Sequence, residues 1–338
     1  MILRPKPSPC HNTTLAGAAS AAPMATVPAW LRRAIPDAQS LAGKDVEDVA
    51  LAAGATIGAL DAVVRRQERC AGAWRQRLAL VAAAATAKQG GRVEVESALR
   101  DAVLLTRPGD DVGPAGILLL AWRRLASRPA EKLLTEASVG AVLVEFGYAP
   151  DDEVVSDLAD ELRQRAAGAC MVAALTGAFI AAERHGFGRA VGAWLADALL
   201  AQRLGWVHAV PLLGAEAALG TSARPRRSAA SSVVTSIETD PGRAKRLLAA
   251  QARIALRAID LSAELERRAD RLLAVAPKLR AKAAGLVVER LLSDDAIVAS
   301  EKIAGMSDRG LRRLFDRLVE LGAVRELSGR PTFRIYGL

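Results

Sequence analysis

The chain has 338 residues, of which 51% are hydrophobic but only 4% aromatic, enough for two or three compact units built from Ala, Leu and Val, residues that (Val excepted) favour helix and whose small side chains let helices pack closely. The formal charge is +9 and uneven: residues 241–338 carry 20 Lys/Arg against 12 Asp/Glu (net +8), leaving 26 and 25 (net +1) in the first 240. This asymmetry points to a polyanionic partner for the last third, nucleic acid before membrane surface, while three well-separated cysteines, Cys10, Cys70 and Cys170, exclude a disulfide framework and suit free buried thiols in a reducing compartment.

The N-terminus, "MILRPKPSPCHNTTLAGAASAAPMA", lacks a Leu-rich block and is interrupted by prolines. It is expected to be a disordered tail (1–27), with no signal peptide. Residues 28–219 are expected to form an all-helical domain. In "KDVEDVALAAGATIGALDAVVRRQ", Val46, Val49, Ala50, Ala53, Ile57, Leu60 and Val64 recur at helical spacing, with Asp45 placed to cap. A second helix runs to Gly90–Gly91, shorter ones cover 93–105 and 112–127, and another begins at Pro129. "DDEVVSDLADELRQRAAGACMVAALTGAFIAAERHG" predicts one long helix or two in line. Its uncharged stretch, Ala166 to Ala182, is 17 residues long, at the short limit for a membrane span and richer in Ala and Gly than such spans. A buried central helix is the expectation, and with it a cytoplasmic protein without membrane contact. Four Ala-Trp pairs, at Trp30, Trp74, Trp122 and Trp194, are too unevenly spaced for a repeat.

Residues 220–239 have the composition of a flexible basic linker, ending where Thr239 or Asp240 can cap a helix and Pro241 can open it. A long connecting helix is expected over 240–277. Leu247, Ile254 and Leu261 recur every seven residues, as do Ala258, Leu265 and Leu272. The seam suits packing against neighbouring domains and leaves a homodimer helix open.

Residues 278–338 give a helix with Ala284, Leu286, Val287 and Leu291 inward, a strand in "AIVAS", and about one helical turn from Ser300. A capped helix follows, with Ser307 as N-cap, a stripe of Leu311, Leu314, Phe315, Leu318 and Leu321, and Gly322 as its stop. Two strands around "SGRP" close the chain, with Val324, Leu327, Phe333 and Tyr336 as strand residues. The order matches a winged helix-turn-helix, in which the helix before the hairpin enters the major groove. The fold class expected is therefore mainly α: a multi-helix N-terminal bundle plus a small C-terminal winged helix-turn-helix-like domain with a β-hairpin. Arg309, Arg312, Arg313 and Arg317 lie on the helix face opposite the stripe, Arg330 in the turn and Arg334 on the last strand. With Ser307 they form the candidate DNA-binding set, and double-stranded DNA is the expected partner. The alternative is a non-enzymatic helical module that docks a protein.

Catalytic constellations are not found in the sequence. HExxH, GxSxG, CxxC and P-loop patterns are missing, and His11, His185 and His208 stand apart. His185 suits a helix C-terminus and His208 a satisfied loop position. The carboxylates of "DDEVVSDLADEL" suit a solvated helix N-terminus, and no cofactor, metal or small-molecule ligand is expected. The phrases "PAWLRRA", "LADALLAQRLGW", "APKLRAKAAGLVVERLLSDDA" and "SGRPTFRIYGL" resemble the bacterial domain-of-unknown-function family numbered 1403 over about residues 28–338. That resemblance implies a family label and no site.

Overall fold

The computed structural model of the protein describes residues 27–107, 109–168, 170–216, 241–279, 281, 283–330 and 332–338. The expected tail up to residue 26, the linker 220–239 and the caps Thr239 and Asp240 lie outside the described residues. Short helices α1 (Ala29–Ala34) and α2 (Ala38–Ala42) lead into α3 (Val46–Arg66) and α4 (Ala71–Gln89). Asp37 starts α2 by accepting the Ser40 amide at 2.8 Å, whereas Asp45 heads α3 without a side-chain cap bond. On α3, Val49, Ala53 and Leu60 turn inward as expected, but Val46 and Ala50 are exposed. These two lie in the helix's first turns, on the side that no neighbour among the described residues covers. Gly91, at φ 77°, takes the left-handed conformation just beyond α4 that other residues adopt only with strain.

Next come α5 (Glu96–Leu104), α6 (Gly113–Ser127) and α7 (Glu136–Glu145). The last starts later than Pro129 suggests, because Ala130–Lys132 forms a 3-10 turn and Thr135 supplies the cap. α8 (Asp152–Ala167) and α9 (Met171–Arg184) are two helices packed against each other, so the long uncharged run is broken near Gly168. No helix among the described residues is long and apolar enough to cross a membrane. α10 (Arg189–Arg203) and a 3-10 turn at Leu213–Ala215 complete the bundle, and α11 (Pro241–Val275) lies across it.

The core is held by three main pairings: α3 with α11, α9 with α10, and α4 with α6. Trp74, Trp122 and Trp194 are buried, and each indole N–H finds an acceptor: the Ala258 carbonyl (2.9 Å), the Thr86 hydroxyl (3.1 Å) and the Ala121 carbonyl (3.0 Å). A buried indole without such a partner loses stability. Three of the four Ala-Trp pairs thus sit in the core, and only Trp30 is exposed.

The C-terminal unit comprises α12 (Ala284–Ser293), β1 (Ile297–Val298), α13 (Asp308–Glu320), β2 (Arg325–Glu326) and β3 (Ile335–Gly337). The strands form an antiparallel sheet in the order β1-β3-β2, pairing Ile297 with Tyr336 and Glu326 with Tyr336 from opposite sides. The protein is mainly helical, with this small sheet near its C-terminus. Three local expectations are corrected. Ser300 begins no helical turn. Leu286 points outward and Val288 inward, since α12 turns its 284, 287, 288, 291 face to the core. The strands are shorter than the alternation implies, so Phe333 precedes β3 and is exposed.

Apolar packing and buried charge hold this unit on the bundle. α12 packs on α4, where a Cβ at Gly72 would lie 2.5 Å from the Ser293 carbonyl. Asp295, fully buried just before β1, is gripped by Arg77 of α4 and by Arg100 of α5, the latter at 2.6 Å. Burial raises the Asp295 carboxyl's pKa, yet the two guanidinium groups outweigh it and hold the group below its ordinary range. Arg330 donates to Asp101 of α5 at 2.7 Å, and Arg268 of α11 to the Leu338 carbonyl at 2.8 Å. The unit therefore leans chiefly on α4 and α5. The α11 seam (Leu247, Ile254, Ala258, Leu265, Leu272) is buried, with α3 as its principal neighbour.

Candidate nucleic-acid interface

α13 begins at Ser307, whose hydroxyl accepts the Gly310 amide at 3.2 Å. That bond satisfies one of the helix's four orphan donors. Leu311, Leu314, Phe315 and Leu318 are buried, and Gly322 (φ 64°) ends the helix. Phe315 stacks on Tyr336 of β3 with ring centroids 4.3 Å apart and planes within 5°. The stripe and this stack fix the helix's rotation, and with it which side chains meet solvent.

The outward residues are Asp308, Arg309, Arg312, Arg313, Asp316, Arg317, Val319 and Glu320. Arg317 donates to Glu320 at 3.1 Å, one turn along the helix. Arg309, Arg312 and Arg313 are exposed and form no ion pair among the described residues. Arg334 lies 3.9 Å from both Asp316 and Glu326, and its pKa is raised, first by Tyr336 and then by these acids. Arg330 is turned onto the bundle at Asp101. The six arginines thus divide: three unpaired on α13, one paired along it, one flanked by acids on the hairpin, and one used in the junction.

A groove of about 400 Å³ opens between α13 and the hairpin, with Arg312 and Asp316 on one wall and Phe333 and Arg334 on the other. Phe333 is 65% exposed and stands at φ 53°, an uncommon conformation for a bulky side chain. The sequence hides this, because "TFRIYGL" suggests a continuous strand. Its usable sign is that Ile335 and Tyr336 are both apolar, which breaks the alternation that would carry pairing back to Phe333.

No cluster of three or more His, Cys, Asp or Glu among the described residues is arranged to hold a metal ion. His185 ends α9 and stacks near Phe187 at 6.5 Å, while His208 bridges to Pro129 in extended backbone. Glu161, expected in solvent, instead receives Arg165 at 2.6 Å and Arg184 at 3.0 Å, because α9 packs over that end of α8. Cys70 is buried and its thiol is pushed up to about 12 by desolvation, which makes it inert. Cys170 is exposed, contrary to the buried thiol expected, and Cys10 lies outside the described residues. Asp197, fully buried on α10, accepts the Leu212 and Leu213 amides at 2.7 and 3.0 Å and so shapes the turn that follows.

A family model described as "Protein of unknown function (DUF1403)" matches residues 17–338, and the chain belongs to that family. No curated protein and no solved structure matches it.

Proposed function

We propose that this member of the DUF1403 family binds double-stranded DNA through its C-terminal unit, used as a winged helix-turn-helix. The order helix, strand, turn, helix, hairpin and the sheet order β1-β3-β2 support that reading. In this geometry α13 takes the place of the helix that enters the major groove and the β2–β3 hairpin that of the wing.

The observation that carries the proposal is the set Arg309, Arg312 and Arg313, exposed on one helix face and without an ion pair among the described residues. Guanidinium groups so placed are ready for phosphates or guanine edges. Arg317, Arg334 and Ser307 lie around them as further contacts. Only a turn precedes Ser307, where a full positioning helix is usual, so affinity should come mainly from phosphates and depend weakly on sequence. The bundle is then a rigid platform, and the cytoplasm, where DNA is accessible and Cys70 stays reduced, is the expected location. The test is binding of a fluorescent duplex at rising salt. Each phosphate-contacting arginine changed to Ala should flatten the slope of log K against log salt by about 0.9. Absence of binding at low salt would falsify the proposal.

A second reading, docking of a protein on the same unit, is favoured by one observation. Leu286 (45% exposed) and Val319 (41% exposed) lie on α12 and α13. A stable complex that survives nuclease and high salt but is lost on Val319→Asp would support it over DNA.

A further inference from the structure

The groove between α13 and the hairpin combines features that a surface for phosphates alone does not need. Its outer wall carries Phe333, exposed and held at a positive φ. Such a backbone state costs stability in a bulky residue and persists where the surroundings impose it. Opposite lie Arg312, which has no ion pair among the described residues, and Asp316. Ser300 adds a hydroxyl from the segment after β1, and Tyr336 is almost fully buried beside the groove.

We propose that this groove holds one unpaired nucleotide, its base stacked on Phe333, its phosphate on Arg312 and its polar edge facing Asp316 and Ser300. The inference rests on the DNA-binding reading and extends it to a named substrate feature. An aromatic ring stacks on any base with little regard to sequence. A base inside a duplex has both faces covered, so it must leave the stack to use the groove. The volume of about 400 Å³ lies within the range of small-molecule pockets. As a hydrogen-bond acceptor, Asp316 favours bases with an exocyclic amine, so adenine, cytosine or guanine over thymine. The nucleotide comes either from a strand, at a bulge or single-stranded end, or from solution as a free mononucleotide.

The experiment compares three probes on the full-length protein: a blunt duplex, the same duplex with one bulged adenine, and adenosine monophosphate. The bulged duplex should bind about tenfold tighter than the blunt one, the size expected of one base–aromatic stack. Phe333→Ala should bring the two duplexes to equal affinity, and Phe333→Trp should preserve the preference. Because Phe333 is exposed, neither change should unfold the chain, which circular dichroism checks. Saturable binding of adenosine monophosphate, lost in Phe333→Ala, would support the groove even if no duplex bound, and the DNA-binding reading would then fail alone. Duplex binding without a preference for the bulge, or a preference that survives Phe333→Ala, would overturn the groove inference and leave the DNA-binding reading standing.

Discussion

The bundle and the C-terminal unit both pair some arginines with carboxylates and leave others exposed, but they space the exposed ones differently. In the bundle, Arg65 pairs with Asp61, Arg165 with Glu161 and Arg124 with Glu145. On α13, Arg309, Arg312 and Arg313 have no such partner among the described residues. Exposed pairs contribute little to stability. What α13 adds is spacing: three exposed arginines without an ion pair among the described residues stand within positions 309 to 313, whereas Arg33, Arg69 and Arg128, their like in the bundle, lie far apart along the chain.

Two buried aspartates sharpen the contrast. Asp197, within the bundle, accepts the Leu212 and Leu213 amides and no cation, and burial outweighs those bonds to push its pKa to about 8. Asp295, at the junction, meets Arg77 and Arg100, which outweigh the same desolvation and hold its pKa below the ordinary value. One carboxyl is destabilised as an anion and the other requires the anion.

The largest expected effect is at the junction. Asp295→Ala leaves Arg77 and Arg100 facing each other without their shared anion, which should cost about 3–5 kcal/mol of stability by denaturant unfolding. The sign follows from the lowered pKa. The stabilisation is present above the unfolded value of 3.8 and lost as pH falls through the folded one. The deficit of the variant should therefore shrink in acid, and a deficit independent of pH would show that charge does not hold the junction. Asp197→Asn should behave oppositely. With its pKa raised, Asp197 contributes stability that is full below 3.8 and drains away as pH rises towards about 8. The wild type should lose up to about 1.4 kcal/mol per pH unit relative to the variant in that window. Unfolding curves for the two proteins that stay parallel across it would contradict this.

Much of this architecture is legible in the sequence because it depends on local chemistry. Helical periodicity places α3, α4 and α13, Ser307 and Gly322 bound α13, and the Pro after Ala276 ends α11. The junction is not legible. Asp295 meets residues 218 and 195 positions away, and no spacing rule connects them. The placement of Arg330 fails for the same reason, since its partner Asp101 lies 229 positions back. Within the candidate interface the helical arginines follow directly from the apolar stripe. Phe333 does not, because its exposure depends on where pairing with β1 and β2 stops.

A smaller effect separates fold from function at the start of α13. Ser307→Ala removes the cap on Gly310 and should cost about 1 kcal/mol, seen as faster hydrogen exchange in the first turn. If Ser307 only caps, the salt dependence of DNA binding stays unchanged. If it also meets a phosphate, affinity falls at every salt concentration.

The central claim is that unpaired arginines on α13 meet DNA phosphates, and the direct measurement is the salt slope of duplex binding for the wild type and for Arg309→Ala, Arg312→Ala and Arg313→Ala. The account predicts measurable binding at low salt, a steep wild-type slope, and a loss of about 0.9 from that slope for each residue changed. Binding absent at low salt, or a slope indifferent to all three substitutions, would contradict it.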